Sequence, residues 1–164
     1  MENQTPYSTF VSLLKKNKPN ATAWIQGNET HPSLSGLARF YETPYGGTLV
    51  DVEVFGLPNK EMCGACNFYA MHIHEFGDCT LPFDKTGDHY NPTGMQHPDH
   101  AGDLPPLLGN QGYAWQSFYD KRFTVEEILN RSVIIHAQRD DFSTQPSGNA
   151  GEKIGCGVIR AVRY

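Results

Sequence analysis

Hydrophobic residues recur at every second position in several segments of the chain, which is the spacing of β-strands. Residues 48–55 show it most clearly, with Val50, Val52 and Val54 on one face. We expect that face to be packed and the opposite face to be mostly exposed to solvent. The same reading predicts further strands over residues 23–26, 37–41, 68–75, 111–119, 132–137 and 154–163.

The N-terminus follows a different pattern. Its apolar residues recur at steps of three and four: Tyr7, Phe10, Val11 and Leu14. This spacing predicts a short amphipathic helix that ends before Pro19. We interpret residues 1–20 as an N-terminal arm that packs on the body, and residues 21–164 as one domain. A second short helix is predicted over residues 124–130, with Thr124 as its cap.

Two long stretches interrupt the strand pattern. Residues 76–110 are rich in Gly, Pro and Asp and show no sustained period, and residues 138–152 form a second loop. Loops of this length are usually functional. Seven or eight short strands with two long functional loops predict an all-β fold, a sandwich or flattened barrel with Greek-key connections.

Composition and charge narrow the classes of function. The 164 residues carry a net charge of -5, which argues against a nucleic-acid-binding protein, because such a protein needs a basic face. No apolar run approaches the roughly 20 residues that span a bilayer, so no membrane partner is expected. The N-terminus lacks a secretory pattern, so we expect a cytoplasmic protein.

Histidines are unevenly distributed. Of seven in the chain, five fall within residues 72–100. Neutral imidazole is the commonest protein ligand for zinc and copper. Clustered histidines with aspartates nearby therefore predict a metal site.

The first candidate ligands are His72 and His74, which lie two apart on a predicted strand and so share one face. A second group has the spacing H-x-x-H-x-x-D: His97, His100 and Asp103. Two nitrogen ligands and one oxygen ligand suit zinc, which takes four tetrahedral ligands. The nearest candidate for the fourth is His89.

Other candidates carry more than one interpretation. His136 ends an apolar strand, where a lone histidine is more often a core or edge residue than a ligand. Asp140 is a candidate to orient a ligand histidine, whereas Asp141 is better interpreted as part of a solvated turn. Cys63 and Cys66 form a CxxC motif before a strand. A local disulfide or a reduced pair is favoured there over a metal-loading role, and a thioredoxin-like motif is discounted.

Taken together, the motifs resemble the copper–zinc superoxide dismutases. The segments that carry the resemblance follow one another in the family's order within residues 21–164: HIHEFGD at 72–78, GDHYNP at 87–92, HAGDL at 100–104, His136, Asp140 with Asp141, GNAG at 148–151 and CGVI at 156–159. The family fold is an eight-stranded Greek-key β-barrel, which agrees with the strand pattern.

The resemblance implies a role for each matched residue. The implied copper ligands are His72, His74, His89 and His136. The implied zinc ligands are His89, His97, His100 and Asp103, with His89 as the bridge between the ions. Asp140 is implied to link a copper-ligand histidine to a zinc-ligand histidine, and Cys79 to form a disulfide with Cys156.

The implied activity is dismutation of superoxide anion to oxygen and hydrogen peroxide by copper redox cycling, with His89 supplying a proton and zinc holding geometry. Lys153 stands where the family usually has arginine, which keeps the attracting charge and loses the planar fork. A copper-delivery partner and a homodimer are compatible with this resemblance. The alternative is a non-catalytic copper/zinc-binding protein for metal storage, delivery or sensing, since fold alone does not fix function.

Overall fold

The computed structural model describes residues 5–59 and 67–164. Within these ranges the chain forms two α-helices and nine β-strands: α1 (Pro6–Lys16), β1 (Ala21–Gly27), β2 (Ser35–Glu42), β3 (Thr48–Phe55), β4 (Phe68–Tyr69), β5 (Met71–His74), β6 (Leu107–Leu108), β7 (Ala114–Asp120), α2 (Val125–Ile128), β8 (Ser132–His136) and β9 (Lys153–Ala161). Cys63 and Cys66 lie outside the described residues, so the prediction for the CxxC motif stays a prediction.

Seven strands form one antiparallel sheet in the order β5-β8-β9-β1-β2-β3-β7, and β4 pairs with β6 in a second, two-stranded sheet. Only Ala70 separates β4 from β5, and β6 lies beside β7. The sheet therefore curls round on itself, and the predicted all-β barrel is confirmed. Strand β6 falls in a stretch that was predicted as loop, because a strand of two residues is too short to show a period.

Strand β3 shows where the simple inside–outside prediction was wrong. Its valine face is buried, but Leu49 and Asp51 on the other face are only 3% and 8% exposed. Asp51 accepts hydrogen bonds from Arg39 at 2.9 Å, Trp115 Nε1 at 3.0 Å and Ser117 at 2.6 Å. These residues lie on neighbouring strands β2 and β7, whose side chains cover the outer face of β3.

A disulfide joins Cys79 to Cys156, as the resemblance implied. Cys156 lies on β9 opposite Ile134 of β8, whereas Cys79 lies in the long loop that follows β5. The bond closes a sequence separation of 77 residues, which in the chain-entropy model stabilises the fold by about 4 kcal/mol. It anchors the loop that carries His89 to the barrel.

Both predicted helices form. Phe10 of α1 stacks on Tyr119 of β7, with ring centroids 5.1 Å apart, and meets Tyr45 edge-on. Helix α2 begins with a capping box in which Thr124 and Glu127 exchange hydrogen bonds. In the ranges that the structure describes, neither helix is long and apolar enough to cross a bilayer.

Candidate metal centre

Three of the candidate ligands lie on adjacent strands of the barrel. His72 and His74 both lie on β5, where they pair with Ile134 and Ser132 of β8. His136 ends β8 and pairs with Lys153 of β9. The strand ladder therefore fixes the backbone of these three histidines.

The long loop after β5 returns to the same place. Its residues His89 and Asp103 form isolated β-bridges with His74 and His72. The N–H of Ile73 donates to the carbonyl of Gly102 at 2.9 Å. A Cβ on Gly102 would lie 2.3 Å from the Ile73 carbonyl oxygen, so the approach of loop to strand requires glycine here.

Two groups of buried ligand atoms result, each with its atoms within 4.8 Å of one another. The first group is His72, His74, His89 and His136. The second group is His89, His97, His100 and Asp103. Four imidazoles suit copper, and three imidazoles with one carboxylate suit zinc. We call these the copper group and the zinc group; His89 belongs to both.

Each of the six histidines holds one buried ring nitrogen that has no hydrogen-bond partner. These are His72 Nδ1, His74 Nε2, His89 Nε2, His97 Nδ1, His100 Nδ1 and His136 Nε2. Buried polar atoms are nearly always hydrogen-bonded. Six unpartnered nitrogens that converge in two groups therefore indicate sites for metal ions, which accept nitrogen lone pairs. The residues present therefore fit copper and zinc.

Asp140 connects the two groups. One of its oxygens lies 2.8 Å from His72 Nε2 and the other lies 2.8 Å from His97 Nε2. Burial raises the pKa of Asp140, but the hydrogen bonds from His72, the Phe142 N–H and His97 outweigh it and lower the pKa to about 2. The carboxylate is thus ionised, and it turns the opposite nitrogen of each histidine towards its metal group.

Backbone carbonyls orient two further copper-group histidines. The Nδ1 of His74 donates to the carbonyl of Gly87 at 2.8 Å, and that of His136 donates to Gly151 at 3.1 Å. Burial and then the charge of His72 lower the pKa of His136 to about 3. Burial likewise lowers the pKa of His74 well below its ordinary value. Both imidazoles are therefore neutral at physiological pH, the state that binds metal.

In the zinc group, three ring nitrogens surround one carboxylate. Asp103 Oδ1 lies 2.7 Å from His89 Nδ1. Its Oδ2 lies 3.1 Å from His97 Nδ1 and 3.2 Å from His100 Nδ1. His89 thus faces the zinc group with Nδ1. Its Nε2 has no hydrogen-bond partner, and His89 also belongs to the copper group, which is what a bridging ligand requires.

A cavity of about 420 Å³ opens onto the copper group, and His74, His89 and His136 line it. Lys153 also lines it, and its ammonium group donates to Thr86 Oγ1 at 2.9 Å. Partial burial lowers the pKa of Lys153. The acidic residues that line the same cavity are Glu75 and Asp88.

Two residues lie outside both metal groups, and for Asp141 this agrees with the solvated turn that was predicted. Asp141 is exposed and accepts hydrogen bonds from its own loop, and His31 contacts Asn28 away from the site. Three residues that contact the site were not predicted from the sequence: Thr86, which accepts from Lys153, and Arg122 and Gln145, which bind the backbone of His100 and His97. No motif or spacing distinguishes these three.

Comparison with known proteins points to one family. The family model described as copper/zinc superoxide dismutase (SODC) matches residues 34–159. Superoxide dismutase [Cu-Zn] 3 of Arabidopsis thaliana is 34% identical, over 85% of this chain and 88% of its own length. The superoxide dismutase [Cu-Zn] of Deinococcus radiodurans is 32% identical, over 79% of each chain.

Two further comparisons bear on length and fold. The extracellular superoxide dismutase [Cu-Zn] of Rattus norvegicus is 30% identical over 78% of this chain, but the match spans only 55% of the rat protein. This chain thus spans about half the length of that relative. A solved structure, "Crystal Structure Analysis of the clock protein EA4", superposes with a TM-score of 0.74 at 28% identity, covering 88% of this chain and 96% of the other.

Proposed function

Because the chain belongs to the copper/zinc superoxide dismutase family, we propose that it converts superoxide to oxygen and hydrogen peroxide. Two superoxide anions and two protons yield one molecule of each product. The observation that carries the proposal is the position of His89, which is shared by a four-nitrogen group and a group of three nitrogens with one carboxylate.

Bound copper supplies the one-electron redox chemistry, and bound zinc holds geometry without a redox role. The rest is supplied by the chain. His89 lines the cavity and belongs to the copper group. Its Nε2 is the ring nitrogen without a hydrogen-bond partner, so a proton held there would be within reach of a reduced substrate. On the other side of the ring, Nδ1 faces Asp103, which keeps the imidazole in place while Nε2 gains and loses its proton.

Lys153 attracts the substrate in this proposal. Of the described charged residues that line the cavity, Lys153 is the cation, and Glu75 and Asp88 are the anions. A cation beside the copper group draws superoxide inward, and the two carboxylates oppose it. Replacing Lys153 with glutamate should slow the reaction strongly at low ionic strength and less at high ionic strength. An unchanged rate and salt dependence would remove Lys153 from this role.

The decisive experiment measures superoxide decay in a stopped-flow mixer, with protein that holds one copper and one zinc per chain. Unbound copper is removed first, because it catalyses the same reaction. We expect a fast decay proportional to protein concentration, which His136→Ala abolishes by deleting a copper ligand that lines the cavity. Arg160→Met, an exposed change on β9, is the control and should leave the decay unchanged.

A second function is favoured by the charges around the cavity. The cavity is lined by two carboxylates and by the ammonium group of Lys153, which stands where family members usually have arginine. This set of charges attracts an anion poorly. A copper/zinc-binding protein for metal storage, delivery or sensing would need both metal groups but no anion steering. Decay no faster than in buffer, with both metals bound, would favour this second function.

A further inference from the structure

Arg122 lies just after β7, outside the two metal groups, yet its guanidinium reaches the backbone of the zinc group. Its Nη1 donates to the carbonyl oxygen of His100 at 2.9 Å. Its Nη2 donates to the carbonyl oxygen of Asp103 at 2.5 Å. A single side chain therefore holds the peptide carbonyls of two zinc-group residues.

The guanidinium is itself held in place by Asp120, the last residue of β7. Arg122 Nε donates to Asp120 at 3.0 Å, and Nη2 donates to the second oxygen at 2.6 Å. Asp120 is buried and pairs with Thr48 in the β3–β7 ladder. Asp120 therefore fixes the guanidinium relative to the barrel, although it stands at the end of a long side chain.

The segment that Arg122 holds is a closed turn. The N–H of Asp103 donates to the carbonyl of His100 at 3.0 Å, and the N–H of His100 donates to Asp103 Oδ2 at 3.0 Å. These bonds fix the turn internally. The Ile73 N–H, which donates to the Gly102 carbonyl at 2.9 Å, and the Leu104 N–H, which donates to the Met71 carbonyl at 3.3 Å, tie one side of it to β5. The planar guanidinium of Arg122 adds a second attachment on the β7 side, because two of its N–H donors meet the two carbonyls at the same time.

We propose that Arg122 is a positioning residue for zinc: by holding the carbonyls of His100 and Asp103 against β7, it sets their ligand atoms around the zinc ion. The proposal rests on the zinc part of the proposed function. It does not require that the protein dismutate superoxide, because the contacts concern only how the zinc group is held.

The test compares Arg122→Met, Arg122→Lys and the unchanged protein, each loaded with copper and zinc. Arg160→Met removes the same charge from the exposed end of β9 and serves as the matched control. Zinc transfer to a colorimetric chelator gives the zinc release rate, and the copper electron paramagnetic resonance signal follows copper retention. In a parallel sample, cobalt replaces zinc, and its visible absorption bands report the geometry of that site.

We expect Arg122→Met to release zinc about 10- to 100-fold faster, the usual effect of losing an outer contact to a metal site. The cobalt bands should shift, and the copper signal should stay unchanged. Arg122→Lys should fall between the two, because an ammonium group keeps the charge without the planar fork. Arg160→Met should match the unchanged protein in all three measurements.

Two results would overturn the proposal. One is a zinc release rate for Arg122→Met that matches the control, with unshifted cobalt bands. The other is equal acceleration of zinc and copper loss, which would mean that the substitution loosens the whole fold. Absence of dismutase activity in the unchanged protein would count against the proposed function alone, because zinc release is measured without superoxide.

Discussion

The copper group and the zinc group share His89 but are built in different ways. His72, His74 and His136 of the copper group lie on paired strands β5 and β8. The three other residues of the zinc group, His97, His100 and Asp103, lie in a loop, which meets the sheet through the isolated bridge between Asp103 and His72. A strand ladder fixes ligand direction through its own backbone bonds, whereas a loop needs contacts from elsewhere in the chain.

Three residues from distant parts of the sequence supply those contacts to the zinc group. Asp140 binds His97 Nε2, Gln145 binds the backbone of His97, and Arg122 binds the two carbonyls described above. The copper group therefore depends mainly on the sheet, whereas the zinc group depends on these side chains in addition to the backbone contacts of its loop with β5. Substitutions should therefore separate the two groups.

The largest effect is expected for a substitution of His89, which should weaken the copper group and the zinc group together. His89→Ala removes a ligand atom from each group, so copper and zinc binding should both weaken, by more than the roughly 100-fold that loss of an outer contact causes. Metal content after dialysis, measured by atomic emission, checks this. Loss of only one metal would contradict the assignment of His89 as a bridge.

Asp140→Asn should affect zinc more than copper. An amide has one oxygen, so it cannot accept from both His72 Nε2 and His97 Nε2 as the carboxylate does. Zinc affinity should fall by about 10- to 100-fold, and copper affinity less, because His72 keeps its place in the β5–β8 ladder. Competition with chelators of known affinity measures both.

The control for that substitution is next to it in the chain. Asp141→Asn makes the same chemical change at an exposed residue that contacts only its own loop, and it should alter neither affinity. An equal fall in zinc and copper affinity for Asp140→Asn would refute the difference between the groups.

The difference between strand-borne and loop-borne ligands also explains which features could be predicted from the sequence. Alternation along β3 and the two-residue spacing of His72 and His74 are local signals, and local signals give strands and the faces they present. Arg122 holds carbonyls 19 and 22 residues earlier in the chain. Such a contact depends on how loop and barrel meet, and no period or motif marks it.

Two smaller discrepancies have the same cause. The alternation of β3 predicts that Asp51 faces solvent, yet side chains of the neighbouring strands cover it. Leu107 and Leu108 form a strand only because Phe68 and Tyr69 lie opposite them. In both cases the partner, not the segment itself, decides the outcome.

The smallest expected effect concerns Gln145, whose amide brackets the backbone of His97. Its Oε1 accepts from the His97 N–H at 3.0 Å, and its Nε2 donates to the His97 carbonyl at 2.6 Å. The side chain is exposed, so water can replace both bonds. Gln145→Ala should therefore cost about 1 kcal/mol of zinc binding, or about five-fold in zinc release rate.

Gln26→Ala, at an exposed glutamine of β1, is the matched control for Gln145→Ala and should leave zinc release unchanged. Asp140 and Gln145 both contact His97, but Asp140 is buried and Gln145 is exposed. Their effects on zinc release therefore measure how much burial strengthens such a contact. If Gln145→Ala speeds zinc release as much as Asp140→Asn does, burial does not set the strength of these contacts. The rate of zinc release would then depend on how many side chains contact the zinc group, and not on whether those side chains are buried.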